Sequence, residues 1–154
     1  MKKIIGFLII GLAILNFGCQ KSLSSEEQLE KDITTIKKYI TEKGLDAVKT
    51  DSGLHYVVTS EGFGEYPVKN DNVTVRYKGY FVDGKTFDES SEEGITFNLQ
   101  QVIKGWTEGI QKFREGGSGI LLIPSQLGYG DKNQGGIPAN SVLIFDVEVL
   151  EIQS

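Results

Sequence analysis

The sequence predicts an α+β domain: an antiparallel sheet with one short helix packed across it, preceded by a separate N-terminal helix. Three observations predict this. From residue 53 onward the chain breaks into short alternating or wholly apolar segments divided by Gly- and Asp-containing turns. Only one stretch in that half, "VIKGWTEGIQKF", has helical spacing, with Ile103, Trp106, Ile110 and Phe113 on one face. Upstream, "SSEEQLEKDITTIKKYITEKG" carries Leu29, Ile33, Ile36 and Ile40 at spacings of four, three and four.

The first element, residues 24–44, has both ends marked. Ser24 followed by Glu27 fits a capping box, and Gly44 suits the position just past a helix C-terminus. The apolar stripe serves either to pack the helix on the domain or to form a spacer or dimer-forming helix. The strands follow in order: "LHYVV", "VTVRYKGYFV", "KTFDES", "ITFNL", "GILLIP" and "SVLIFDVEVLEI". In the second, Val73, Val75 and Tyr77 face one way and Thr74, Arg76 and Lys78 the other. Asp83-Gly84 reads as a two-residue hairpin turn. In the fourth, Ile95, Phe97 and Leu99 share a side. In the last, Leu143, Phe145, Val147 and Val149 point inward, and Asp146 and Glu148 outward.

The chain has 154 residues, enough for one domain with a core. Its first 18 residues read as targeting rather than fold. Lys2 and Lys3 precede an apolar run of 15 residues, Ile4 to Gly18, shorter than the ~20 needed to span a bilayer. The run ends at Cys19, the only cysteine, so no internal disulfide forms. A thiol placed directly after a signal core and a small residue resembles a bacterial lipoprotein processing site. Asn16 and Phe17 depart from that motif, with Leu15 one step away. The alternatives are an ordinary signal peptide or an uncleaved anchor. Residues 19–23 would then be a lipidated tether. Gln20, in place of the aspartate that signals inner-membrane retention, makes the outer membrane of a bacterial envelope the default address.

Charge and motifs exclude several classes. Removing residues 1–18 leaves 14 basic and 21 acidic side chains, a balance that argues against nucleic acid as a partner. The single histidine, His55, lies in an alternating stretch and reads as an ordinary strand residue, with no metal site around it. "REGGSG" at 114–119 lacks the Lys-Ser/Thr ending of a phosphate loop and leads into a strand. Ser118 stands in no nucleophile elbow. Glu92 and Glu93 read as solvated. The aromatics are more informative. Tyr77, Trp106 and Tyr129 each carry a polar group that needs a partner. Gathered with Phe87 and Phe145 on one concave surface, they would form an apolar bowl edged with hydrogen-bonding groups.

"VTVRYKGYFVDGKTFDES", "QVIKGWTEGIQKF", "LLIPSQLGYG" and "GGIPANSVLIFDVEVL" resemble, in order and spacing, the signature blocks of FKBP-type peptidyl-prolyl cis-trans isomerases. The likeness runs from about Leu54 to Ile152. It implies a five- or six-stranded antiparallel sheet wrapped around one short helix, with the isomerase domain at 50–154. It implies Trp106 as a pocket floor, Tyr77, Phe87 and Phe145 as walls, and Val102, Ile103 and Ile137 along the rim. Tyr129 would hang in from the loop after "LLIP", and Asp88 would lie at the edge, with the Tyr77 hydroxyl as its donor. Ile95 falls where relatives often carry an aromatic wall residue, and Phe97 is assigned to the core.

The activity so implied is prolyl isomerisation of exported or envelope proteins, with catalytic roles for Asp88, Tyr129 and Tyr77 and no cofactor or metal. Its partners would be proline-containing segments of client proteins, macrolide inhibitors, and a membrane reached through a lipid on Cys19. The rival is a non-catalytic binding or scaffolding module with the same bowl. Two departures from the family stand out. Glu92 and Glu93 follow the Phe87-Asp88 pair where relatives place a basic residue, which predicts an acidic rim. The loop "GDKNQGG" is too short for the chaperone insert of some bacterial relatives.

Overall fold

The structure is a computed structural model that describes residues 23–153. The expected leader and Cys19 lie outside the described residues. Helix α1 spans Ser25–Lys43. The Ser24 hydroxyl accepts from the Glu27 N–H at 3.2 Å, and the Glu27 carboxylate accepts from the Ser24 N–H at 2.7 Å. Gly44 takes the left-handed conformation that ends the helix, with φ 62°. No helix among the described residues is long and apolar enough to cross a membrane.

Seven strands follow: β1 (Val48–Lys49), β2 (His55–Ser60), β3 (Asn72–Tyr80), β4 (Thr86–Glu89), β5 (Ile95–Asn98), β6 (Ser118–Ile123) and β7 (Leu143–Gln153). Six of them lie on the six segments read from the sequence; β1 is a two-residue addition at the edge. They form one antiparallel sheet in the order β1-β2-β6-β7-β3-β4. β5 also pairs with β3, which carries β5 along Asn72–Val75 and β4 along Lys78–Tyr80. The short helix α2 (Lys104–Gly109) runs on into a 3₁₀ turn at Ile110–Lys112.

The β3–β4 connection differs from the two-residue turn expected at Asp83-Gly84. The Gly84 N–H donates to Phe81 O at 2.8 Å, and the Phe81 N–H to Lys85 O at 3.0 Å. Gly84 has φ 86°. Val82 and Asp83 therefore sit in the turn, and Gly84 closes a three-residue loop in the left-handed conformation. The pairing of β3 with β4 shifts register between Gly79 and Tyr80.

Both faces of the sheet are covered where α1 and α2 overlap it. On the α2 side lie Val73, Val75, Tyr77, Leu121, Ile123, Leu143, Phe145, Val147 and Val149. On the α1 side Ile36 and Tyr39 pack on Leu122, Val142 and Ile144. This explains the texture of the sequence. "LLI" in β6 and "LIF" in β7 are continuous because both of their faces are dry. Alternation returns at Asp146 and Glu148, on the face α2 does not cover.

The buried line of α1 is not the stripe the spacing suggested. Gln28, Asp32, Ile36 and Tyr39 are buried, whereas Leu29, Ile33 and Ile40 are half-buried flanks. Ile36 and Tyr39 of this helix pack on the sheet of the same chain. His55 is buried and is the register partner of Leu122 beneath this layer. Its Nδ1 lies 3.0 Å from Gly53 O.

Burial holds the His55 imidazole below its ordinary value of 6.5, with Lys49 and Lys37 adding to the effect against the Gly53 bond. The unfolded chain therefore takes up the proton first as pH falls, and stability is lost through the window below 6.5. The melting temperature should fall between about pH 7.5 and about pH 5.5. A His55→Gln chain, melted across the same range, should lose part of that slope; an identical slope would assign it to other groups.

Candidate functional site

The site begins with how α2 rests on the sheet. A Cβ on Gly105 would lie 2.5 Å from Ile123 Cγ2, and one on Gly109 would lie 2.6 Å from Leu121 Cδ2. With no side chain between, the helix backbone settles directly on β6. Trp106, on the same helix, reaches the rings of neighbouring strands. Its indole meets Tyr77 at 5.0 Å and 88°, Phe145 at 5.3 Å and 81°, and Phe97 at 5.4 Å and 83°. These are edge-to-face contacts, in which the positive ring edge meets a negative face. The Trp106 N–H has no hydrogen-bond partner among the described residues.

Over this floor lies a cavity of about 630 Å³, a size typical of small-ligand and peptide pockets. It is lined by Tyr77, Phe87, Asp88, Phe97, Gln101, Val102, Ile103, Trp106, Tyr129, Gln134, Gly135, Ile137 and Phe145. The structure thus brings together every residue expected at the site except one. Ile95 opens the edge strand β5 and stays 41% exposed, outside the cavity. Phe97, two residues further on, was expected in the core; its ring reaches Trp106 and Tyr77 and lines the cavity instead. Spacing placed both on one side of the strand, but Ile95 pairs with Val75 and Phe97 with Val73, and only Phe97 meets Trp106.

Two walls depend on a glycine. Phe87 and Phe145 meet at 5.5 Å and 86°. A Cβ on Gly79 would lie 2.6 Å from the Phe87 ring and 2.8 Å from the Phe145 ring. Gly79 pairs with Asp88 on β4 and with Phe145 on β7, so the bare backbone of β3 makes room for both rings. A glycine inside an alternating strand, as in "RYKGY", is the sequence signal for such an approach.

The polar edge is small. The Tyr77 hydroxyl donates to Asp88 Oδ2 at 2.7 Å. Burial, then the Asp88 bond and charge, push the Tyr77 phenol well above its usual range, so it remains a donor at neutral pH. Asp88 itself is exposed, and the bond orients its carboxylate rather than rescuing a buried charge. The Ile103 N–H, at the N-cap of α2, has no partner among the described residues. Ile137 follows a tight turn through Gly135 (φ 51°) and Gly136 (φ 87°), closed by Gln134 and Ile137 at 2.9 and 2.8 Å.

The acidic rim expected from Glu92 and Glu93 does not form. Arg76 Nε donates to Glu92 O at 2.8 Å and lies 3.6 Å from its carboxylate, while Arg76 Nη1 meets Glu148 at 2.7 Å. Neither glutamate lines the cavity, where Asp88 is the sole charged side chain. The amides of Gln101 and Gln134 take rim positions instead. Both lie in stretches the sequence singled out, but neither was assigned to the site, because a glutamine in a loop looks the same whether it borders a cavity or solvent.

Residues 64–150 match the family model for FKBP-type peptidyl-prolyl cis-trans isomerases. The chain belongs to this FKBP family. FKBP-type peptidyl-prolyl cis-trans isomerase FkpA of Escherichia coli strain K12 is 42% identical over 148 residues, covering 89% of this chain and 54% of the relative. The chain therefore spans about half the length of the curated relatives it matches. The crystal structure of FkpA from Escherichia coli superimposes with a TM-score of 0.72 at 35% identity, over 85% of this chain and 74% of that one. A peptidyl-prolyl cis-trans isomerase from Pseudomonas syringae pv. tomato gives 0.74 at 30% identity, over 86% and 98%. The family match covers the whole cavity lining and excludes α1, β1 and β2.

Gly79→Ala should force Phe87 and Phe145 apart at an overpacking cost of about 1–3 kcal/mol. The melting temperature should drop and the near-ultraviolet circular dichroism of the ring cluster should change. An unchanged aromatic spectrum would show that the two rings are not held against this strand.

Proposed function

We propose that this chain catalyses cis–trans isomerisation of X–Pro peptide bonds in proteins of the bacterial envelope. The observation that carries the reading is the cavity floored by Trp106 and walled by Tyr77, Phe87, Phe97 and Phe145, which lies wholly inside the family match. Resonance holds the X–Pro amide planar behind a barrier of ~18–20 kcal/mol. The planar amide is more dipolar than the twisted transition state. A dry aromatic bowl therefore favours the twisted form relative to water, and catalysis is differential binding of that conformer.

The proline ring would seat on the indole, flanked by Phe87 and Phe145. Tyr129 and the free Ile103 N–H supply donors for the substrate carbonyl. Asp88, held by Tyr77, sets the field at the open edge. No nucleophile or proton shuttle enters these steps. The uncharged glutamines at the rim support a preference set by apolar residues beside the proline rather than by charge. Macrolides that mimic a twisted prolyl amide are the expected inhibitors. The non-catalytic rival is less well supported, because a scaffold would have no use for donors at Ile103 and Tyr129 that stay unengaged among the described residues beside the ring set.

The proposed address is the envelope, through a lipid on Cys19, and rests on the leader pattern. Cys19→Ser should release the chain from the membrane fraction, and continued sedimentation with membranes would refute the anchor. For catalysis, the purified full chain should accelerate isomerisation of an Ala-Leu-Pro-Phe peptide; folded protein with flat kinetics would sink the reading. Asp88→Val and Phe145→Tyr should each lower kcat/KM about three- to ten-fold, the scale of one hydrogen bond or polar contact, with little change in melting temperature. Unchanged rates would remove those residues from the mechanism.

A further inference from the structure

We infer that Asp32, on α1 and outside the family match, is a positioning residue for Tyr129: through Ser125 it holds the loop that hangs the phenol into the cavity. The inference rests on the isomerase reading for its kinetic consequence and on geometry for the contact itself.

Asp32 is a carboxylate only 2% exposed, and no Lys or Arg among the described residues pairs with it. A buried carboxylate is costly unless its oxygens are satisfied. Here Oδ1 accepts from Gln28 Nε2 at 2.7 Å. Oδ2 accepts both the Ser125 N–H at 2.8 Å and the Ser125 hydroxyl at 2.6 Å, across 93 residues of sequence. Such charge-assisted bonds are stronger than neutral ones.

Ser125 passes the restraint on. It is itself 1% exposed. Its carbonyl accepts the N–H of Gly128 at 2.9 Å and the N–H of Gly130 at 2.8 Å, the residues on either side of Tyr129. The Gly130 carbonyl in turn accepts the Asn140 N–H at 2.7 Å. Gln126 Nε2 adds a second tie, to the Ser25 carbonyl of α1. Tyr129 is 39% exposed and takes its pose from this backbone. All the polar groups of Ser125 are thus engaged, its N–H and hydroxyl by α1 and its carbonyl by the loop.

The test is a double-mutant cycle on the full chain, read by turnover of a prolyl peptide and by amide hydrogen exchange. Asp32→Ala should lower kcat/KM about five-fold and raise exchange at Gly128 and Gly130 by about ten-fold or more. Asp32→Asn should restore most of both, since its oxygen can still accept from Ser125 while Gln28 turns its amide. In a Tyr129→Ala background, Asp32→Ala should have no further kinetic effect. Multiplying rate losses, or unchanged protection at Gly128 and Gly130, would overturn the inference. If Asp32→Ala does not fold, Ser125→Ala, which removes one of the two Ser125 bonds, should give the same pattern at smaller size; its absence overturns the inference equally. A wild-type chain without turnover would refute the isomerase reading alone, and the exchange data would still decide the clamp.

Discussion

Trp106 is the constraint on which the cavity depends. Its indole stands edge-on to rings from β3, β5 and β7, while two glycines on the same helix lie flat on β6. The helix is therefore close to the sheet on one side and propped away on the other. Close packing of side chains normally fills such a gap. Here the ring-to-ring geometry leaves a concave surface and also forms part of the core, so floor and fold are the same set of contacts.

The walls and the edge follow from that arrangement. β3 passes beneath the whole site: Val73 and Val75 in the core, Tyr77 at the polar edge, Gly79 under the two phenylalanine walls. Its outer side is shared by β5 and β4, so the sheet opens where Ser90 bonds to Tyr77 rather than where a strand continues, with the Tyr77 N–H 3.0 Å from Ser90 Oγ. This puts the Tyr77 hydroxyl and Asp88 at the mouth. Charge elsewhere is kept off the cavity by pairing, as with Arg76 between Glu92 and Glu148.

The opposite face of the sheet is not a passive back. α1 covers β6 and β7 from behind, buries Ile36 and Tyr39, and sends Asp32 to the segment that leaves β6. That segment carries Tyr129. One strand, β6, thus receives α2 on one face and α1 on the other, and its C-terminal exit is fastened by the second. A helix outside the family match is in this way joined to a side chain inside the cavity.

The sequence by itself determined the class of fold, six of the seven strands among the described residues, both helices with the capping box at Ser24, and nine of the thirteen residues that line the cavity. It could do so because alternation, helical spacing and ordered motif blocks are local or collinear signals. Only the tertiary structure decided the rest. It exchanged Ile95 for Phe97, because which of two residues on one strand face meets the Trp106 ring is set by packing and not by spacing. It removed Glu92 and Glu93 from the rim; the partner of Glu92, Arg76, lies 16 residues away on β3 and is not adjacent in the sequence. It placed Asp32 and Gln28 in the buried line of α1, beside the apolar stripe that spacing had marked. A buried polar residue becomes intelligible only with its partners, and the partner of Asp32 is Ser125, brought beside it by the folding of the whole sheet.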